Sequence, residues 1–291
     1  MTARTATDQA LPVMLRALRL PTFLAHYEEV AEKAEREGWS FTDYLRHLAE
    51  SELAERTRRR IERHLKRSEL PREKTLATLD LSRFSARVRR QIPTLCEGGF
   101  VERAENILAF GLPGRGKTHL CCAIAHELVQ RGYRVLFTPA YRLVQRLLAA
   151  RRDLLLEREL KRLDAYDAVL LDDLGYIQQD REEMEVLFTF LAERYERRSV
   201  VITSNLVFSQ WDRIFKDPMT TACAIDRVVH HSTILELTGP SVREEAAKKR
   251  NPHRPRSRKP TPSSSTPEAS EPSDPINHEP TTTSAEQKDD E

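Results

Sequence analysis

Long apolar runs are missing from this chain. Nowhere among its 291 residues do roughly eighteen apolar side chains follow one another, the length a bilayer-crossing helix needs. The opening stretch MTARTATDQALPVMLRALRLP also lacks the continuous apolar segment of a secretory signal, so the expectation is a soluble, cytoplasmic protein with no membrane partner. Cysteine is scarce and unpatterned. Cys96, Cys121, Cys122 and Cys223 match neither zinc-ligand spacing nor a disulfide framework, and they read as small buried apolar side chains in a reducing compartment. A charge field of one sign is lacking as well. The 47 Lys and Arg nearly balance 45 Asp and Glu, leaving a net charge of +2, so any attraction for a polyanion must come from local clusters.

What is present changes along the chain. Residues 13–70 read as helical. Phe23, Tyr27, Val30, Ala31 and Ala34 recur at helical spacing and stop at Gly38. Ser40 with Asp43 resembles a capping box for a further helix, with Phe41, Tyr44, Leu45 and Leu48 on one face. Arg56, Arg58, Arg59, Arg60, Arg63, Lys66 and Arg67 then place seven basic residues within twelve positions; the cluster is either a DNA-facing surface or a solvated helix face. A linker leads to a predicted helix carrying Phe84, Val88, Ile92 and Leu95, perturbed by Pro93 and closed by Gly98 and Gly99. From residue 107 onward, short β-rich runs (Ile107–Phe110, Arg134–Thr138, Ala168–Asp172, Ser199–Thr203, Thr233–Leu237) are separated, over the first four, by helix-length segments. That alternation predicts an α/β fold, a parallel sheet with helices on both faces. Beyond Asn251, proline, serine, threonine and charge dominate, a composition too poor in apolar surface to offset chain entropy. The divisions are residues 1–75, a helical domain; 76–106, a linker and helix; 107–250, the core; and 251–291, a disordered tail.

The chemistry-bearing stretch is ILAFGLPGRGKTHLCC. An apolar run ends at Gly111, and Gly111, Leu112, Pro113, Gly114, Arg115, Gly116, Lys117 and Thr118 satisfy G-x-x-x-x-G-K-[ST] between a predicted strand and a predicted helix. Such a loop holds phosphate oxygens on backbone N–H groups and the helix N-terminus, with Lys117 on the phosphates and the Thr118 hydroxyl on Mg2+. In AVLLDDLGY an apolar strand ends in Asp172, a candidate Mg2+ ligand, and Asp173, a candidate for polarising an attacking water. VVITSNL is a further buried strand whose polar end, Asn205, could bond the terminal phosphate or the water. In CAIDRVVHHS, Arg227 is either a finger on a nucleotide held by a neighbouring subunit or the partner of a surface ion pair. His230 and His231 carry no assignment. No N-K-x-D loop for guanine recognition is present. A second basic run, YRLVQRLLAARRDLLLERELKR, includes Arg151 and Arg152 and suits either a phosphate backbone or a helix laced with i,i+4 pairs.

Taken in order, the stretches ENILAFGLPGRGKTHLCCAIAHELVQRGYRVLFTPAYRLVQRLL, DAVLLDDLGY, LAERYERRSVVITSNLVFSQWDRIFKDP, AIDRVVHH and LELTGPSVR resemble the IstB-like ATP-binding proteins of insertion sequences, kin to DnaC-type helicase loaders. The likeness runs from about Leu18 to Arg243. It implies an AAA+ P-loop NTPase core with a five-stranded parallel sheet, a small all-α domain before it and a reduced or absent C-terminal lid. It further implies an ATPase that uses ATP and Mg2+, oligomerises with copies of itself on duplex DNA and assists a cognate transposase in target capture and strand transfer. The residues implied as catalytic are Lys117, Asp173, Asn205 and Arg227, with Gly111 to Thr118 and Arg243 on the nucleotide, Thr118 and Asp172 on the metal, and Arg56, Arg59, Arg60, Arg63, Arg151 and Arg152 facing DNA. The family commonly has Asp-Glu where this chain has Asp172-Asp173, and the shorter side chain reaches less far. A DnaC-like helicase loader and a nucleotide-dependent adaptor with little catalysis are the alternatives.

Overall fold

A computed structural model describes residues 3–176, 181–207, 210–211, 218–239 and 241. Arg243, the lid and the tail from 251 lie outside the described residues. Within the compact unit Met1–Arg250, the chain begins with three helices, α1 (Ala3–Ala17), α2 (Pro21–Glu37) and α3 (Phe41–Ser68). Helix α2 starts on Pro21 and ends where Gly38 adopts φ 65°. Ser40 caps α3, its Oγ accepting from the Asp43 amide at 3.1 Å and donating to the Asp43 carboxylate at 2.6 Å. The two helices are joined by a buried carboxylate: Glu52, 3% exposed, accepts from the Thr22 amide at 2.8 Å in the first turn of α2 and from Arg56 at 2.7 Å. An acceptor there satisfies a donor that the helix itself leaves open.

The expected apolar face of α3 is only partly used. Leu48 is 2% exposed, whereas Phe41 is 95% and Leu45 59% exposed. Side-chain hydrogen bonds to α2 come from Tyr44, whose hydroxyl donates to the Tyr27 carbonyl at 3.0 Å, and from Glu52, and Phe41 and Leu45 are left on solvent.

The core follows as α4 (Ala86–Glu97), α5 (Gly99–Glu102), β1 (Asn106–Phe110), α6 (Lys117–Gln130), β2 (Val135–Pro139), α7 (Ala140–Arg152), α8 (Leu156–Asp164), β3 (Ala168–Asp172), α9 (Arg181–Arg194), β4 (Ser199–Ser204), α10 (Pro218–Val229) and β5 (Ser232–Glu236). All five strands are parallel, in the order β2-β3-β4-β1-β5. Strand alternation sends Leu108, Phe110, Val169, Leu171, Val200 and Ile202 into one apolar layer with α7, α9 and α10, and sends Ile107, Ala109, Ala168, Leu170 and Val201 into the other with α4 and α6. Both faces are covered, which is why the strands read as continuous apolar runs. Phe84 belongs to this second layer but precedes α4, which Ser85 caps. Among the described residues no helix is long and apolar enough to cross a membrane. Burial pushes the Cys96 thiol up to about 11 and that of Cys122 up to about 12, so both behave as apolar groups. Cys223 departs from the expectation, since its place on α10 leaves it exposed.

Candidate nucleotide site

Parallel strands deliver their following loops to one edge of the sheet, and the motif residues follow three neighbouring strands, β3, β4 and β1. Ligands of such sheets bind outside the carboxyl ends of the strands. The Gly111–Thr118 loop leaves β1 there and enters α6 at Lys117. Gly111 has φ 152°, and a Cβ on it would run into the carbonyl oxygen of Leu237, so the segment leaving β5 packs against the loop as only glycine allows. The Arg115 guanidinium donates to the Thr238 carbonyl and ties the loop to the same segment.

Inside the loop, Lys117 is 5% exposed. Its Nζ donates to the carbonyls of Gly111 at 2.7 Å and Leu112 at 3.1 Å, so the cation is held over the curl of the loop. Beneath it Thr118 Oγ1 donates to Asp172 Oδ1 at 2.7 Å, and Thr203 Oγ1 donates to the same oxygen at 2.7 Å. Thr203 Oγ1 in turn accepts from the Asp173 amide at 2.9 Å. The end of β3 is thereby fixed to the loop on one side and to β4 on the other. Asp173 has φ 58°, a left-handed conformation that aspartate tolerates better than most residues.

Asn205 follows β4. Its Oδ1 is buried with no hydrogen-bond partner among the described residues, and a Cβ on Gly175 would collide with that atom. The sequence thus leaves out a side chain at 175 where Asn205 needs room. A cleft of about 350 Å³ is lined by residues 113–118, Asp172, Asp173 and Asn205, and also by Lys74 and His119. These last two escaped the motif reading. Lys74 comes from a strap, residues 71–78, that packs on α6, and His119 from α6 itself: His119 Nε2 lies 3.1 Å from Thr78 Oγ1 and 3.3 Å from the Thr75 carbonyl oxygen, and His126 Nε2 lies 3.0 Å from that of Pro71.

The donor set fits phosphate with a hard divalent cation. Loop amides and a buried ammonium suit the anion, the paired oxygens of Thr118 and Asp172 suit Mg2+, and the orphaned Asn205 Oδ1 is an acceptor waiting for a donor. Thr203 is a participant that the sequence hid, because a threonine inside a strand reads as packing.

Arg227 lies elsewhere. The carbonyl of its neighbour Val228 accepts from Asn106 Nδ2 at 3.1 Å at the start of β1, one strand length, roughly 16 Å, from the loop at the other end. Its guanidinium stacks on Phe188 at 4.8 Å. Among the described residues it makes no ion pair.

The basic clusters divide. Arg56 and Arg59 are paired with Glu52 and Glu55, and Arg151 with Glu185 at 3.0 Å. Arg60, Arg63 and Arg152 are not in ion pairs among the described residues, and Arg60 packs over Gly132. Sequence reasoning missed a groove of about 390 Å³ where α3 meets the core, lined by His64, Arg67, Arg134 and Arg162. Burial, with help from Arg60, lowers the pKa of His64.

Known proteins sharpen the picture. The family model described as IstB-like ATP binding protein matches residues 13–250. A Sinorhizobium fredii protein named as an insertion sequence ATP-binding protein is 44% identical over 86% of this chain and 84% of its own length. A Pseudomonas aeruginosa protein named for insertion sequence IS21 and ATP binding is 36% identical over 82% and 90%. Among solved structures, AMPPCP-bound DnaA from Aquifex aeolicus superposes with a TM-score of 0.50 at 19% identity, covering 63% of this chain and 56% of that one. A DNA replication initiation factor superposes at 0.51 with the same identity and coverage. These two likenesses bear on the fold alone, the parallel sheet with helices on both faces. The chain belongs to the family of IstB-like ATP binding proteins.

Proposed function

We propose that the chain binds and hydrolyses ATP with Mg2+ and, as a self-assembling ATPase on duplex DNA, assists the transposase of an insertion sequence. The observation that carries the nucleotide reading is the Thr118–Asp172–Thr203 cluster directly under a glycine-built loop that holds a buried lysine. Bound Mg2+ would supply charge neutralisation at the phosphates, held through Thr118 and Asp172. Lys117 exchanges its carbonyl contacts for phosphate oxygens. Asp173 and Asn205, at the ends of adjacent strands, orient the attacking water, and Arg243 is assigned to the nucleotide. Arg227 stands at the opposite edge of the sheet from the loop, so it can reach only a nucleotide held by another chain. That placement supports hydrolysis completed in trans and, with it, ATP-dependent assembly. The names of the relatives support the insertion-sequence context.

In this reading residues 1–75 form the DNA-binding and oligomerisation domain, 76–106 the connecting strap and helix, 107–250 the ATPase core and 251–291 a tail, all in the cytoplasm. DNA contact falls to the arginines of the two basic clusters that make no ion pair among the described residues, Arg60, Arg63 and Arg152, together with the groove residues Arg67 and Arg162. Arg162 has a carboxylate neighbour only at 3.9 Å, too far for a strong pair. Each phosphate contact releases a counterion, so duplex affinity falls steeply with salt and hardly depends on sequence. Removing two contacts by Arg67→Ala with Arg162→Ala reduces the slope of log affinity against log salt by about two. Fluorescence anisotropy on mixed-sequence duplexes checks it; a salt-insensitive wild-type complex contradicts DNA binding, and an unchanged slope removes the groove from the contact surface.

A further inference from the structure

Away from the phosphate cleft, one group of side chains has the chemistry of a metal centre. Strands β4 and β5 flank β1, and the turns that lead into them lie at the same edge of the sheet. Glu196 comes from the turn before β4, and His230 and His231 from the turn before β5. One ligand atom from each lies within 4.8 Å of the other two. His231 Nε2 is 3.6 Å from the Glu196 carboxylate. The two imidazole centroids are 4.1 Å apart. All three residues are exposed, so an ion can enter without any opening of the fold.

Two features separate this group from surface residues that merely meet. The backbone beneath it is pinned: the His230 amide donates to the Asp226 carbonyl at 2.9 Å and the His231 carbonyl accepts from the Asn106 amide at 2.7 Å. The His230 ring is also oriented, because its Nδ1 sits 3.2 Å from the Tyr195 hydroxyl. A metal-binding histidine almost always has its second nitrogen engaged in this way. With Nδ1 engaged, Nε2 is the nitrogen left for a metal.

We propose that Glu196, His230 and His231 bind one divalent ion of the zinc class. Two imidazoles and a carboxylate suit Zn2+, whereas Mg2+ prefers an all-oxygen octahedral shell. Zinc–ligand bonds of about 2.0–2.1 Å in a tetrahedron require donors about 3.3 Å apart, and rotation of exposed side chains closes the remaining distance. Three protein ligands leave a fourth position for water or for a group from another chain. The ion ties the turn after α9 to the turn after α10, three residues beyond Arg227, whose guanidinium already rests on Phe188 of α9. It would therefore hold the segment that carries the proposed finger.

The test uses the full chain, stripped with a chelator and titrated calorimetrically with ZnCl2, with MgCl2 as the control. The expected result is one Zn2+ per chain at micromolar affinity or tighter and no comparable Mg2+ isotherm at this site. Glu196→Gln and His231→Ala each weaken Zn2+ binding on the order of 100-fold, and Tyr195→Phe, which removes only the orienting hydroxyl, weakens it about tenfold. Metal-free thermal melts verify that the variants are folded; if His231→Ala is not, Glu196→Gln carries the decision. Wild-type protein that shows no saturable Zn2+ binding overturns the proposal, and so does binding that a folded Glu196→Gln leaves unchanged, because the ion then sits elsewhere.

Discussion

Replacing Lys117 by alanine raises the ATP dissociation constant by at least about 100-fold, which abolishes binding at ordinary assay concentrations. A hydrogen bond to a charged group is worth about 1.5–3 kcal/mol, and each 1.4 kcal/mol is a factor of ten in affinity. Lys117 brings more than one such bond. The residue is 5% exposed, its charge is screened less than on an open surface, and its bonds to the Gly111 and Leu112 carbonyls help set the loop's curl. The alanine variant therefore loses both the cation and part of the cradle's order. Titration with a fluorescent ATP analogue reads the effect. A thermal melt that stays close to wild type separates it from unfolding, because the buried strands below the loop keep their packing. An analogue bound with wild-type affinity would refute the phosphate role of the loop.

The second large effect is on stability. Arg194 is 2% exposed and lies in the last turn of α9. It donates to the carbonyls of Leu163 and Tyr166 at 3.0 Å each, to Ser199 at 3.0 Å and to Asp167 at 3.4 Å. One planar fork thus closes the end of α8, the entry to β3 and the start of β4, a geometry that a lysine cannot copy. Burial is the main reason its pKa falls to about 10, still well above neutrality, so it remains charged. Arg194→Met of similar volume leaves those acceptors short of donors, and a buried unsatisfied group costs about 1–3 kcal/mol. The expected loss is about 3 kcal/mol or more, out of the 5–15 kcal/mol that folded domains typically have. Urea unfolding shows this as a lower midpoint with an unchanged slope. A shift of less than about 1 kcal/mol contradicts the assigned role.

Arg194 also illustrates what the sequence withholds. In ERYERR nothing distinguishes it from Arg197 and Arg198, and only the packing of α9 on the sheet turns one arginine inward. The sheet itself was legible for a simple reason. Parallel strands covered on both faces read as near-continuous apolar runs, and the expected strand limits differ from the observed ones by no more than one residue at any end. The loop was legible because its glycines, lysine and threonine are all local in sequence. Thr203, Lys74 and His119 were not, since each acquires its place from a neighbour in space: Thr203 from Asp172 across the β3–β4 pair, the other two from the strap folded over α6. The same holds for α3, where spacing showed an apolar face with Leu48 on it but not that Phe41 and Leu45 would stay exposed while the charged Glu52 is buried. His230 and His231 looked unpartnered until the turn bearing Glu196 came alongside.

In the proposed function the phosphate cleft works between chains, with Arg227 of one acting on the nucleotide of another. The most direct test is ATP turnover per chain, measured with duplex DNA over a wide range of chain concentration for the wild type and for Arg227→Ala. Action between chains makes wild-type turnover per chain rise with concentration toward a plateau. Arg227→Ala binds ATP with unchanged affinity and stays at least about tenfold below that plateau throughout. Wild-type turnover that is the same at every concentration, or an Arg227→Ala chain that hydrolyses ATP at the wild-type rate, would contradict it.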